Sequence, residues 1–358
     1  MRRLLILLVA ALAVLVAAHT LLWRWGTQQL ASGFAGWAAA ARAQGWTVTS
    51  GEPQPGGWPL AVELSVPGLS VSGDLPDMPL PLTWSGERVV LHVGLPHVRR
   101  LLLLPEGTER LRVGGGAEIP FTADRLQIAL PLVPGVPPGS ADLAAANLRI
   151  GGPRDGAAAA LTVALLAGHA AWQPAAAPGE SALRFALSAE DIGVPSPMPG
   201  GAAALGPRIA SLSLQGTLNG KLPPVADLAA RAAAWRDGGG SLELTQVALG
   251  WGPLGVTGGA TLALDERLQP MGTGTLHLRG QSAALDAMVA GHVITPGAAV
   301  AVGAVLGLLA RPSPDGGAPE VDVPLTLRER TLAVGPIPLT RVPELVWPEP
   351  TQPAKISP

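Results

Sequence analysis

Histidine, aspartate and glutamate are the side chains in this sequence that can move a proton or hold a metal ion. His92 and His97 lie five residues apart, the other four histidines are isolated, and Asp74 and Asp77 share one short acidic segment. A zinc site needs several ligands at characteristic spacings, and a calcium loop needs a longer acidic repeat. Neither pattern occurs, so the sequence predicts no metal site.

Neighbouring carboxylates are the second candidate, because paired carboxylates can act as general acid and base. The pairs are Glu190 with Asp191, Asp265 with Glu266, and Glu320 with Asp322. Adjacent residues of a strand point to opposite faces, so the first two pairs are poor acid–base dyads. A nucleophile elbow, a Walker sequence and a dinucleotide-binding turn are also missing. We therefore predict no enzymatic activity, no catalytic residues and no cofactor.

The amino-acid composition limits the kinds of site and partner that the chain can have. Of the 358 residues, 48% are hydrophobic and only 14% are charged, and the formal net charge is -2. The usual charged share is about 25%. So small a net charge argues against a nucleic-acid partner. Cysteine is absent, which excludes disulfides and thiol catalysis and is compatible with an oxidising compartment.

The N-terminal segment predicts a membrane anchor within residues 1–26. Residues 4–22 are apolar except for two polar residues near their end. As a helix they would span roughly 28 Å, about one bilayer core. Two tryptophans and an arginine follow, where a membrane–water interface is expected. The predicted membrane-interface residues are Trp23, Arg24 and Trp25.

The orientation of the anchor follows from its basic residues. Arg2 and Arg3 precede the apolar segment, so the positive-inside rule predicts a cytoplasmic N-terminus and a translocated body. A cleaved signal peptide is the alternative, with cleavage after Ala18. The anchor is favoured because the apolar run continues past that position. A buried helix of a cytosolic protein is a third, weaker interpretation.

An amphipathic helix is predicted over residues 27–45, ending at Gly45. It either continues the anchor or packs on the body. The hydrophobic period then changes to two, which predicts a strand after the turn GGWPL. Trp58 is predicted to fill the core beneath that turn. The candidate apolar ligand face is Trp58, Leu60, Val62, Leu64 and Val66; an ordinary closed core is the alternative interpretation of that face.

Similar alternating runs recur through residues 46–348 and predict a mainly β (α+β) body with a large, mostly antiparallel, twisted sheet. We predict one body over these residues, and a division into two halves near residues 195–240 is the alternative. Residues 349–358 are predicted to form a flexible tail. A few packed helices are predicted at residues 223–237, 281–291 and 296–310. The last is apolar but too short to span a bilayer, so we predict that it is buried.

Several of these segments together resemble a domain-of-unknown-function family of bacterial inner-membrane-anchored proteins. The shared features are an N-terminal hydrophobic helix, a Trp- and Ala-containing helix ending at Gly45, and the turn Gly57-Trp58-Pro59-Leu60. The later blocks LGWGPLGVTGGATLALD and LTLRERTLAVGPIPLTRVPEL are similar to those of the same family. The resemblance implies a single-pass inner-membrane protein with its body in the periplasm. It supplies no catalytic residues.

A broader architectural similarity is to AsmA-like envelope proteins, some of which are implicated in lipid transport or outer-membrane homeostasis. The leading hypothesis is therefore a non-enzymatic envelope protein that binds or transports lipid or another apolar ligand, or maintains the envelope. Its partners would be the inner membrane, through residues 4–22, and lipid. The alternative is a periplasmic assembly factor that binds other envelope proteins. An unrecognised hydrolase is the least favoured, and it requires a cleft with a histidine or carboxylate pair within hydrogen-bond reach.

Overall fold

The structure is a computed structural model, and it is mainly β with one long apolar helix at the N-terminus, as predicted. Its two compact units are described separately below. The residues described are 2–73, 82–94, 98–114, 116–133, 136–151, 161–173, 176–177, 179–195, 204–221, 228–311, 320–335 and 337–347. The predicted tail, residues 349–358, lies outside them.

The first helix, α1 (Arg2–Ala43), joins the two N-terminal segments that the sequence distinguishes. Its 42 residues correspond to a length of roughly 63 Å. Two residues after the end of the helix, Gly45 has the left-handed conformation, with a φ of 91°. In the last turn of the helix, the Arg42 guanidinium donates two hydrogen bonds to the carbonyl oxygen of Val48, at 3.1 and 2.7 Å. The end of the helix is thereby tied to the first strand.

The first compact unit comprises Met1–Asp74, Pro81–Thr122 and Leu126–Leu143. The strands are β1 (Thr47–Thr49), β2 (Gln54–Gly56), β3 (Ala61–Pro67), β4 (Ser70–Gly73), β5 (Leu82–Gly94), β6 (Arg100–Val113), β7 (Ile119–Thr122) and β8 (Arg125–Pro131). Strands β3 and β4 both pair with β5, β5 pairs with β6, and β6 pairs with β7 and β8, all antiparallel.

The core of this unit lies between α1 and the sheet. Leu64 and Val66 of β3 have exposed fractions of 2% and 0% and belong to one buried cluster with Ala38 of α1. Phe34 packs against the same cluster. The period-two alternation of β3 therefore does place its larger apolar residues on one face, and the second half of α1 covers that face.

The second compact unit comprises Leu75–Leu80, Ala123–Arg125 and Ala144–Pro358. The strands are β9 (Ser140–Ile150, of which this unit includes the part from Ala144), β10 (Leu161–Trp172), β11 (Ser181–Gly193), β12 (Arg208–Asn219), β13 (Ser241–Trp251), β14 (Leu254–Leu264), β15 (Pro270–Arg279), β16 (Ala310–Arg311), β17 (Glu320–Arg328), β18 (Thr331–Val334) and β19 (Ile337–Arg341). The strands from β10 to β15 pair with their neighbours in chain order, and β15 then pairs with β17, β17 with β18 and β18 with β19.

The boundary between the units does not coincide with the optional division near residues 195–240. Strand β12 lies inside that range and pairs with β11, and β12 and β13 are also paired within the second unit. The helix α2 (Leu228–Asp237) lies in the connection between them. A connection with a helix resembles a domain boundary in sequence, because sequence alone does not reveal that the strands on both sides are neighbours.

Two further helices, α3 (Gln281–Ala290) and α4 (Pro296–Leu309), follow β15. The prediction that the apolar residues 296–310 are buried is wrong for most of α4. Val300, for example, is 73% exposed, and Val302 and Val305 are also exposed. The helix contacts α3 and β17, and two elements do not enclose a helix that is apolar all round.

Candidate functional site

The turn between β2 and β3 is hydrogen-bonded to α1 over one turn of the helix. The His19 ring donates from Nε2 to the carbonyl oxygen of Pro59 at 2.7 Å. The Trp23 indole N–H lies 3.2 Å from the carbonyl oxygen of Gly56 and 3.0 Å from that of Ala61. We call residues 57–60 the GWPL turn. Side chains of α1 thus hold the turn itself and both of its flanking residues.

Glycine is required at the start of the GWPL turn. Gly57 has a φ of 85°, and a Cβ atom there would lie 2.8 Å from the carbonyl oxygen of Ala61 and 2.8 Å from Cγ of Glu63. The Ala61 N–H donates to the Gly57 carbonyl oxygen at 2.9 Å and closes the turn. The backbone of the GWPL turn therefore rests directly on the Glu63 side chain.

Glu63 has a partner on the next strand. Its Oε1 atom lies 2.8 Å from Nδ1 of His92, the residue directly opposite it on β5. Both side chains are about two-thirds to three-quarters buried, since their exposed fractions are 32% and 26%. Glu63 and His92 thus form a half-buried pair beneath the GWPL turn.

The side chains of Trp58 and Leu60 are exposed on the surface of the first unit. Their exposed fractions are 52% and 76%. The expectation that Trp58 fills the core is therefore wrong. The reason is that β3 begins only at Ala61, so Trp58 and Leu60 belong to the turn and do not follow the alternation of the strand.

The five residues predicted as an apolar ligand face have different environments. Leu64 and Val66 are buried in the core described above. Val62 packs on α1 so closely that a Cβ atom on Gly26 would lie 2.9 Å from its Cγ2 atom. Only Trp58 and Leu60 are exposed enough to reach a ligand, so the five residues do not form one accessible face. Ligand binding at Trp58 and Leu60 stays a prediction.

The predicted membrane-interface residues also differ from one another. Trp23 is half-buried by its contact with the GWPL turn, whereas Arg24 and Trp25 are exposed. Among the described residues, α1 is the one helix long and apolar enough to cross a membrane. None of its most apolar 18-residue window is buried. Contact of Trp23, Arg24 and Trp25 with a membrane stays a prediction.

Two of the acidic residues considered for catalysis have structural partners. Asp191 pairs with Arg208 at 2.8 Å, and Asp265 Oδ1 accepts the N–H groups of Arg267 and Gln269, both at 2.8 Å. In the described ranges, no three His, Asp or Glu residues are grouped closely enough to hold a metal ion. Asp74, Asp77 and His97 lie outside the described residues.

A second histidine–carboxylate pair lies in the second unit. His277 Nδ1 is 2.7 Å from Asp322 Oδ1, across the pairing of β15 with β17. Sequence reasoning missed both histidine pairs, because each joins residues at least 29 positions apart in the sequence. The strand register that brings them together can be read only from the folded sheet.

Glu109 of β6 is the acid whose environment is most unusual. It is 2% exposed, and within the described part of the chain neither of its carboxylate oxygens has a hydrogen-bond partner. Burial raises the pKa of Glu109 from 4.5 to about 7, and the negative charge of Glu87 adds to this increase. The carboxylate occupies the space over Gly86, where any side chain would collide with it. No sequence signal marks Glu109, which lies in an ordinary polar segment.

Comparison with known proteins gives one match. The bacterial family described as "Uncharacterized protein conserved in bacteria (DUF2125)" matches residues 23–343. No curated protein and no solved structure matches the chain. The family match begins at Trp23, the residue that holds the GWPL turn, and extends through both compact units.

Proposed function

The chain belongs to DUF2125, an uncharacterized bacterial family, and we propose that it is a non-enzymatic, single-pass inner-membrane protein whose periplasmic body contacts lipid at the bilayer surface. The observation that carries this proposal is the position of the GWPL turn. The turn is hydrogen-bonded to α1 where the apolar segment of the helix ends, and it exposes a tryptophan and a leucine there.

The depth of the turn follows from helix geometry. With residues 4–22 in the bilayer core, His19 lies three residues before the end of the span, roughly 4.5 Å along the helix axis. The carbonyl oxygen of Pro59 is hydrogen-bonded to His19. Trp58 and Leu60 flank Pro59 and therefore stand at the boundary between hydrocarbon and headgroups. Indole rings favour that boundary, and an exposed leucine side chain gains free energy when hydrocarbon covers it.

The contacts of Trp23 support a fixed arrangement of the helix and the first unit. The Trp23 indole N–H donates to the backbone on both sides of the GWPL turn, and Val62 packs against Gly26 one helical turn further on. The body therefore begins at the membrane surface without an intervening linker. In this arrangement, the GWPL turn is the part of the body that touches lipid, and lipid binding or transfer would begin there.

Single-cysteine labelling tests the depth of the GWPL turn, because the chain has no cysteine of its own. We expect a nitrobenzoxadiazole fluorophore on Leu60→Cys, in full-length protein reconstituted into nanodiscs, to show blue-shifted emission and quenching by spin-labelled lipids. The physical reason is that residue 60 lies beside the end of the apolar segment. Emission maxima and quenching would be measured for each labelled position.

Two matched positions on α1 complete this experiment. Leu12→Cys lies within the apolar segment and reports whether the helix is inserted at all. Ala43→Cys is exposed at the other end of α1, roughly 36 Å beyond His19 along the axis, and is expected to report an aqueous environment. If the probe at residue 60 is as solvent-exposed as the probe at residue 43, while that at residue 12 is quenched, the lipid-contact proposal is wrong although the anchor is correct.

A further inference from the structure

One face of the second unit's sheet carries a concentration of hydroxyl groups. An open concavity of about 1010 Å³ lies over β13, β14, β15 and β17. Six of the chain's 19 threonines line it. They are Thr245, Thr257, Thr261, Thr273, Thr275 and Thr326.

Strand register places these hydroxyls in rows across the sheet. Thr273 of β15 lies directly between Thr261 of β14 and Thr326 of β17. His277 lies in the same way between Thr257 and Asp322. Neighbouring strands are about 4.8 Å apart, so the rows form a regular two-dimensional array of polar groups.

The backbone shapes the floor of this open concavity. The pairing of β13 with β14 is irregular between Leu244 and Val247. Gly259 faces this irregularity, and a Cβ atom there would lie 2.7 Å from the carbonyl oxygen of Leu244. Because no side chain fits at residue 259, the floor between Thr257 and Thr261 stays open.

Most of these hydroxyls are available to a ligand. Thr245 donates a long hydrogen bond to the carbonyl oxygen of Gln215, at 3.4 Å. The other five threonine hydroxyls have no hydrogen-bond partner among the described residues. A threonine hydroxyl can both donate and accept, so this array can satisfy ligand groups that do both.

The lining excludes other ligand classes by its chemistry. An acyl chain requires an apolar wall, whereas the side chains that project from this face are mostly polar. A phosphate or carboxylate requires cations, but the ionised lining residue is Glu243, and His277 is paired with Asp322. A metal ion requires a cluster of ligands, and within the described ranges none is present here.

We propose that this concavity binds a neutral, polyhydroxylated ligand, that is, a saccharide chain. Sugar hydroxyls both donate and accept hydrogen bonds, as the threonine hydroxyls do. The carboxylate of Glu243 accepts from sugar hydroxyls, and the His277–Asp322 pair supplies a fixed polar group at one end of the array. This site is separate from the lipid contact of the GWPL turn, so either proposal can fail without the other.

The double variant Thr273→Val/Thr275→Val tests the site. Valine has the shape of threonine and suits a strand, so the variant removes two hydroxyls and retains the fold. Full-length protein would be applied to an array of neutral hexose and N-acetylhexosamine oligosaccharides, both free and as glycolipid headgroups. Kd for the best binder would then be measured by calorimetry.

We expect at least one neutral saccharide to bind, and the double variant to weaken its binding about tenfold or more, since two hydrogen bonds are lost. Thr340→Val, on the exposed strand β19 outside the concavity, is the matched control and should leave Kd unchanged. Binding to both free and lipid-linked forms identifies headgroup recognition and supports the site. Absence of binding to every neutral saccharide overturns the proposal, and so does a Kd that the double variant does not change.

Discussion

Leu64→Ala is expected to lower the free energy of unfolding of the first unit by about 3 kcal/mol. Leu64 is almost completely buried between β3 and α1, beside Val66 and Ala38. Its truncation loses the transfer free energy of the side chain and leaves a cavity that the helix and sheet can fill only in part. Hydrogen exchange of peptides from residues 61–67 and 88–94, in full-length protein in nanodiscs, measures the local free energy of opening.

Leu60→Ala is the matched control, four residues earlier in the chain and 76% exposed. It should lower the same exchange free energy by clearly less than Leu64→Ala does, because it leaves no cavity in the core and reduces the proposed contact with lipid instead. Equal losses at residues 60 and 64 would contradict the assignment of Leu64 to the core and Leu60 to the surface. The comparison therefore separates the closed-core and ligand-face interpretations of β3 at two residues of the same type.

Glu109 is expected to make the stability of the first unit decrease as the pH rises. Its pKa is about 7 in the folded protein, compared with an ordinary value of 4.5. The folded state therefore binds the proton more tightly than the unfolded state does. The stabilisation is complete below about pH 4.5, declines between about pH 4.5 and 7, and is lost above about pH 7. The total change is about 3 kcal/mol, from 1.36 kcal/mol for each pKa unit.

Glu109→Gln removes this proton equilibrium and keeps the size and polarity of the side chain. The difference in exchange free energy between wild type and variant, measured on peptides from β5 and β6 from pH 4.5 to 8, isolates the contribution of Glu109. We expect the difference to shift in favour of the variant between about pH 4.5 and 7 and to level off above about pH 7. A difference that is constant over this range, or that shifts in favour of wild type, would contradict a buried carboxylate without a partner.

The sequence predicts the strands of this chain well because their signal is local. The alternation of Leu64 and Val66 with polar or small residues depends only on the two-residue period of a strand. The sequence signal of the long apolar helix is equally local. The fold class and the side of β3 that is buried could therefore be predicted from a single sequence.

Features that depend on long-range register could not be predicted in this way. The pairs Glu63–His92 and His277–Asp322 exist because particular strands align at particular residues. The large, apolar side chain of Trp58 predicts a position in the core, but its position before the first residue of β3 decides its exposure. The apolar helix α4 shows the same limit, because hydrophobicity does not specify how many elements are available to cover it.

The docking of the GWPL turn onto α1 has a mechanical consequence. With residues 4–22 in the bilayer, the rest of α1 extends roughly 32 Å from the membrane surface to Ala43, and the core of the first unit packs along it. A tilt of the transmembrane segment is then transmitted to this unit as the same rotation. Helices tilt when bilayer thickness changes, so if α1 spans a membrane as proposed, the orientation of the first unit relative to that membrane would depend on the thickness of the surrounding lipid.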